Sequence, residues 1–284
     1  MATCDPGDRE RRQRKPACYV ARVRLTCAVA MLFAAGSFGI ARPSPVRAAP
    51  DDIIMRPLVL DADTVELRLT AEINAQARKV GRPLSLAPDA WWGVTPRWTL
   101  GVIHSAASLD RIESGSTFCV RQTDDVACPG LYRGSGLDVR FSALVGSLAV
   151  APRLRVLIRN LDPFKPAMTV GGLVRWAHGR FAVEGDPYVR IPLANRREGN
   201  RAQLFLPIWF TVQPTTGWAI GLHTGYNADF AVLRDGGHAP VSLSGTSRVT
   251  PAVDVGLEAG WFGVLTQQHD LKQGTVVLSV DWHP

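Results

Sequence analysis

Histidine and serine side chains offer the most direct route to catalysis, and few of them stand at useful spacings. His104 and Ser105 together suggest a nucleophilic pair of the kind found in a lipid hydrolase. Adjacent strand residues point to opposite faces, however, so these two side chains are expected to be separate polar groups near a loop. His223 has no second His or Cys at ligand spacing, which favours a hydrogen-bonded histidine. The sequence therefore specifies no catalytic residue, metal site or cofactor.

A larger set of charged residues recurs at every second position of several segments. Arginine keeps its charge at any ordinary pH, so several arginines on one face must be solvated by water or paired with carboxylates. Solvated arginines would line a path for a polar or anionic solute, whereas paired ones would fill an interior with ion pairs. The candidate basic residues are Arg140, Arg155, Arg159, Arg175 and Arg190, and the candidate acidic residues are Glu184, Asp186, Asp254, Glu258 and Asp281.

The net charge of +7 does not indicate a nucleic-acid partner, because it is concentrated at the N-terminus. Residues 1–48 hold nine Lys or Arg and three Asp or Glu, a net charge of +6, which leaves +1 for the rest. A basic leader, an apolar run over 25–40 and the small residues around Ala48 predict an export signal cleaved after Ala48. A membrane-spanning helix is the alternative, but the apolar run is short of the ~20 residues that a bilayer requires.

Cys119 and Cys128 are the two cysteines outside the predicted leader. An exported chain with one such pair favours a disulfide, which would stabilise the fold by roughly 3 kcal/mol. Two free thiols and a pair of metal ligands stay open as alternatives, although no nearby histidine completes a metal-binding set.

The charged residues must be positioned by β-strands, because apolar and polar residues alternate along most of the chain after residue 63. No segment after residue 50 has a sustained apolar stripe at helical spacing. The sequence thus predicts an all-β fold. The twelve predicted strands cover residues 64–73, 84–94, 98–105, 136–148, 154–160, 168–177, 181–192, 202–212, 218–226, 239–249, 253–261 and 275–282.

The predicted connections alternate between short and long. Those after the second, fourth, sixth, eighth and tenth strands are the short turns TPR, VAPR, HGR, QPTTG and TPA, and the others are longer and polar. The short turns therefore gather at one end of the structure. Pro187 and Pro207 fall inside predicted strands, so each should mark a bulge or a strand boundary.

The segment WGVTPRWTLGV resembles the hairpins of Gram-negative outer-membrane barrels, and TVVLSVDW resembles their last strand. The resemblance is architectural and covers most of residues 64–282. It implies an antiparallel transmembrane β-barrel of about 12 strands in the bacterial outer membrane, with short periplasmic turns and longer extracellular loops. The expected division is a signal peptide at 1–48, a periplasmic segment at 49–63 and the barrel at 64–284. Cys119 and Cys128 would then lie on an extracellular loop.

In such a barrel the alternating apolar residues contact lipid and the charged residues line the lumen. A secreted soluble barrel or sandwich with the opposite orientation stays open, because alternation alone does not distinguish the two. The expected function is a narrow pore for passive passage of small hydrophilic or anionic solutes. A closed barrel that acts through its loops is the alternative, and a lipid-modifying enzyme is a third possibility. The expected partners are outer-membrane lipids and small solutes, with no nucleic acid.

Overall fold

A computed structural model describes residues 52–74, 84–105, 134–233, 237–262, 264 and 273–283. The predicted leader, Cys119 and Cys128 lie outside these ranges. Among the described residues, no helix has the length and apolar character to cross a membrane. The described chain forms thirteen strands: β1 (Val65–Asn74), β2 (Leu84–Thr95), β3 (Trp98–Ile103), β4 (Ser135–Phe141), β5 (Leu148–Leu161), β6 (Phe164–His178), β7 (Phe181–Gly185), β8 (Tyr188–Pro192), β9 (Gln203–Thr215), β10 (Trp218–Asp229), β11 (Val241–Thr250), β12 (Val253–Phe262) and β13 (Gln273–Trp282).

These strands pair in chain order and close into a barrel. Every pairing is antiparallel, and β13 completes the ring by pairing with β1 from Leu67↔Trp282 to Asn74↔Thr275. The strands β7 and β8 together fill one position of the ring, since both pair with β6 on one side and β9 on the other. The ring therefore has twelve positions, and the predicted closed antiparallel barrel of about twelve strands is confirmed.

The interruption between β7 and β8 lies at Asp186 and Pro187. The register to β9 is the same on both sides of this gap, so no residue is inserted. Pro207 of β9 faces the same gap, where its carbonyl accepts the Asp186 N–H at 3.3 Å. On its other side Pro207 pairs with Gly225, whose φ of +155° suits glycine. Both prolines thus mark an interrupted ladder rather than a bulge, because neither has an N–H to donate.

Four of the five predicted short turns are present. They follow β2, β6, β9 and β11, and each leaves two residues between its strands. The predicted VAPR turn is wrong, because these residues lie within the continuous strand β5 and the turn is formed by 142–147 instead. The ladder to β4 ends at Arg140↔Arg153, so Pro152 lies beside an unpaired stretch and its missing N–H does not break β5.

The opposite end of the barrel carries the other connections. Residues 193–202 and 230–240 form the connections after β8 and β10. The connection between β5 and β6 was predicted to be long. That prediction is wrong, because only Asp162 and Pro163 separate the two strands. Extra strand pairing replaces the loop there, since β5 and β6 extend beyond their predicted ends to Leu161 and Phe164.

The outer surface of the barrel is apolar. Large hydrophobic side chains at alternate strand positions are exposed, among them Leu69, Leu100, Val156, Ile220, Leu257 and Leu278. Aromatic side chains are concentrated at the short-turn end, as in the interfacial girdles of membrane barrels. This girdle consists of Trp98, Trp176, Phe181, Trp218 and Trp282, each of which is exposed. A soluble barrel would have to bury this surface. The apolar side chains therefore point outward, as they do in a barrel that spans a membrane.

Candidate functional site

Charged side chains fill much of the barrel interior. Of the predicted basic residues, Arg155, Arg175 and Arg190 are buried, while Arg140 and Arg159 are partly buried. The acidic residues follow the same pattern. Asp186, Asp254 and Asp281 are buried, and Glu184 and Glu258 are partly buried. In a barrel with an apolar outer surface, buried charges at alternate positions face the interior.

A network centred on Asp138 joins three strands of this interior. Its carboxylate accepts hydrogen bonds from Arg140 Nε at 2.9 Å, Arg153 Nε at 2.7 Å and Trp91 Nε1 at 2.9 Å. Arg153 also donates through Nη1 to Asp186 Oδ2 at 2.7 Å. The Asp138 residue is only 1% exposed. One arginine therefore holds two carboxylates, and basic and acidic groups are interleaved on this wall.

The sequence interpretation missed Arg153 because it placed this residue in a turn. The alternation of Arg155 and Arg159 extends back to Arg153 in LAVAPRLRVLIR, and that extension was the available signal. The proline at 152 suggested a turn, whereas the neighbouring strands determine that the segment pairs.

Aromatic rings support the adjacent arginines. The Arg155 guanidinium lies 4.2 Å from the ring centroid of Tyr188, and that of Arg190 lies 5.2 Å from the ring centroid of Phe205. Tyr188 and Phe205 stack with their centroids 4.6 Å apart. Arg155 Nε also donates to Thr169 Oγ1 at 2.8 Å. Arg190 also donates to Gln203 Oε1, so aromatic rings and hydrogen bonds together hold these two guanidinium groups on the inner wall.

The wall formed by β9 to β12 carries a different group of side chains. Glu258 Oε1 lies 3.0 Å from His223 Nδ1 and also accepts a hydrogen bond from Ser242 Oγ. The His223 ring stacks on Trp209 with a centroid distance of 4.5 Å. Ser242 Oγ approaches the same Nδ1 at 3.3 Å, so the histidine cannot relay a proton from the serine on one nitrogen to the carboxylate on the other. This cluster is a hydrogen-bonded wall element, not a catalytic triad.

His104 and Ser105 do not pair in the structure. His104 Nδ1 lies 2.7 Å from the Pro88 carbonyl oxygen, while Ser105 Oγ donates to Asp89 Oδ2 at 2.7 Å. The structure therefore confirms that the two side chains are separate polar groups.

Asp254 organises the interior at the short-turn end. It is fully buried and lies 3.3 Å from Arg248 Nε and 3.0 Å from His283 Nε2. Its third partner is Arg56, which belongs to the segment that precedes β1. Asp281 of β13 similarly accepts a hydrogen bond from Arg68 of β1. The C-terminal end of the chain and the residues before β1 thus meet at one carboxylate.

The segment before β1, residues 52–63, lies inside the barrel at this end and is called the N-terminal segment below. Ile54 packs against Ala177 and Ala182, which are buried residues of β6 and β7. Val59 packs with Ala151 and Leu173 of β5 and β6. All of these partners alternate with exposed apolar residues of the same strands, so they face inward. The sequence predicted only a periplasmic segment here and had no signal for its insertion.

Gly93 permits the N-terminal segment to enter β1. Its N–H donates to the Thr64 carbonyl at 2.9 Å, and its own carbonyl accepts from the Asp63 N–H at 2.7 Å. A Cβ at this position would lie 1.9 Å from the Asp61 carbonyl oxygen. The backbones approach so closely that only glycine fits.

We expect Gly93→Ala to displace residues 61–64 and to lower the free energy of unfolding by about 1–3 kcal/mol, the usual cost of overpacking. Urea titration of the barrel folded in lipid vesicles measures the change. Gly245→Ala is the matched control, because a Cβ at Gly245 has no neighbour within 4 Å. Equal effects of the two substitutions would contradict the close approach.

No family model matches the chain, and no curated protein matches its sequence. Solved structures do match its fold. A NanC porin superposes with a TM-score of 0.50 at 8% identity, over 77% of this chain and 98% of that chain. The fold is that of an outer-membrane β-barrel. An outer-membrane channel from Pseudomonas putida F1 gives a TM-score of 0.49 at 11% identity, over 80% of this chain and 97% of that chain.

A bacterial polysaccharide outer-membrane secretin gives a TM-score of 0.46 at 9% identity, over 79% of this chain and 100% of that chain. The NanC porin superposition and the closed ring of twelve positions confirm the predicted resemblance to outer-membrane barrels as a resemblance of fold. The predicted outer-membrane location agrees with this fold and with the apolar outer surface described above.

Proposed function

We propose that this outer-membrane barrel is a narrow channel for the passive passage of small hydrophilic solutes, with a preference for anions. The observation that carries the proposal is the arginine-rich wall of the interior. Its described members are Arg140, Arg153, Arg155, Arg159, Arg175 and Arg190, which stand beside the carboxylates Asp138, Glu184 and Asp186.

The excess of arginine on this wall supports an anionic preference. Each carboxylate of the Asp138 network is already held by Arg153, and Arg140 contacts the same Asp138 carboxylate through one nitrogen. Arg155 and Arg190 present flat guanidinium groups over aromatic rings on the neighbouring strands. The positive charges of these groups lie along one wall, so a small anion in the lumen would meet a favourable electrostatic field as it moves past them.

A closed barrel with a structural or surface-interaction role is the second candidate, and a specific observation favours it. The N-terminal segment packs inside the short-turn end, and Arg56 reaches from it to Asp254 on β12. A barrel that stays closed there would act through its loops at the opposite end.

Planar-bilayer recording of the purified, refolded mature chain separates the two candidates. A channel is expected to show stepwise conductance with a reversal potential that favours anions. A barrel that is folded, as judged by heat-modifiable migration in gels, but electrically silent would support the closed candidate. Cell fractionation provides an independent test of the outer-membrane location. Recovery of the chain as a soluble periplasmic protein would overturn both candidate functions.

We also propose that residues 1–48 direct export and that Cys119 and Cys128 form a disulfide on an extracellular loop. Both proposals rest on the sequence, because these residues lie outside the described ranges. A membrane-impermeant maleimide applied to intact cells is expected to label neither thiol until a reductant is added. Labelling of both without reduction would contradict the disulfide.

A further inference from the structure

The N-terminal segment lies inside the short-turn end of the barrel, where packing and side-chain hydrogen bonds hold it. We infer that residues 52–63 are a releasable plug that determines the aperture of the channel at its short-turn end, held there by Arg56 and Gln213. The inference rests on the proposed channel function.

The inner wall is shaped to receive this segment. Three of the inward residues against which the segment packs are the small side chains Ala151, Ala177 and Ala182, which are 1%, 3% and 5% exposed, and Leu173 is a larger one. Elsewhere on the inner wall of the same strands stand the much larger Arg153 and Arg155. The segment occupies the space beside these small side chains, and it therefore narrows the mouth.

The contacts that hold the segment are separate from the barrel ladder. Residues 52–63 belong to no strand. The Gln213 side-chain oxygen accepts the N–H groups of Ile53 at 3.0 Å and Ile54 at 3.2 Å, and Thr99 Oγ1 accepts the Leu60 N–H at 2.8 Å. All of these contacts are made to side chains of the wall, so their loss leaves every strand pairing in place.

One ion pair crosses the interior to complete the attachment. Arg56 pairs with Asp254 on β12, on the other side of the ring from Ala151 and Ala177. Its carbonyl oxygen accepts a hydrogen bond from Arg175 of β6. Arg56 thus joins two walls of the barrel through the segment, and its side chain stands in the path of a solute.

The segment also has a fixed end about which it can turn. The backbone hydrogen bonds between Gly93 and the residues Asp63 and Thr64 tie its C-terminal end to β2. Release of the other contacts would therefore swing residues 52–60 out of the mouth without detaching the chain. Ile54 and Val59 would then be exposed to water, which favours the inserted state at rest.

The test combines accessibility with conductance. Ala177→Cys, in a Cys119→Ser/Cys128→Ser background, introduces a thiol beneath the segment, and its rate of labelling by a small maleimide reports on release. We expect Arg56→Ala and Gln213→Ala each to raise this rate about tenfold, because loss of a hydrogen bond to a charged or buried group shifts a local opening equilibrium by roughly that factor. Single-channel conductance of the same variants is expected to rise.

Arg201→Ala is the control, because it removes an arginine whose ion pair with Asp229 lies at the opposite end of the barrel from the segment. It is expected to leave the labelling rate and the conductance near those of the parent protein. Heat-modifiable migration shows that each variant is folded.

The two hypotheses fail in different ways. If the barrel conducts but Arg56→Ala and Gln213→Ala change neither labelling nor conductance, the plug is overturned and the channel stands. The plug is likewise overturned if Arg201→Ala has as large an effect as Arg56→Ala. If the parent protein and all variants are folded and silent, the channel is overturned, and the gating role fails with it whatever the labelling rate.

Discussion

Replacement of Asp138 by alanine is expected to lower the free energy of unfolding by about 3–5 kcal/mol, the range for removing one partner of a buried ion pair. Asp138 is 1% exposed and accepts hydrogen bonds from Arg140, Arg153 and Trp91. Its loss would leave Arg140 without this carboxylate and Arg153 with Asp186 alone among the carboxylates described above. The measurement is urea titration of the barrel in lipid vesicles, followed by tryptophan fluorescence.

Glu66→Ala serves as the control for this prediction. Glu66 lies 3.6 Å from Arg68, and both side chains of that pair are partly solvated. Pairs of this kind contribute at most about 1 kcal/mol. If Asp138→Ala and Glu66→Ala destabilise the barrel equally, the Asp138 network does not hold the interior together.

Neutralising the arginines of the inner wall is expected to change the ion selectivity of the channel. In the triple variant Arg140→Gln/Arg159→Gln/Arg175→Gln, the reversal potential should shift toward cations. The permeability ratio should change by at least about fivefold, since a single unit charge at ~4 Å in an aqueous path contributes about 1 kcal/mol. The shift should be largest at low salt, because screening weakens the field of each charge at high salt.

Arg196→Gln is the control for selectivity, because Arg196 is exposed on the connection after β8, away from the inner wall. It should leave the reversal potential unchanged. An unchanged reversal potential in the triple variant of a conducting barrel would show that these arginines are neutralised by their carboxylate partners. The anionic preference would then have to be abandoned.

The sequence by itself determined the class of fold, because the alternation of residues along a strand is a local property. The segments around Leu69, Ile220 and Leu278 alternate with period two, and each of them is a strand with its apolar face outward. The number of ring positions follows from the count of such segments. Arg155 and Arg175 lie on the face opposite the exposed Val156 and Trp176 of their own strands, because successive residues of a strand alternate between its two faces.

The tertiary structure alone decided which charges meet and what lies inside the barrel. The sequence placed Arg153 in a turn, because a proline precedes it and nothing local reveals that β6 pairs along the whole of β5. The pairing of Arg153 with both Asp138 and Asp186 depends on the registers between neighbouring strands. The sequence of one strand alone does not determine those registers. The insertion of the N-terminal segment depends on small inward residues from three distant strands, and the segment itself has no periodic pattern that would predict where it packs. Contacts across a barrel are set by closure of the ring, and closure is a property of the whole chain.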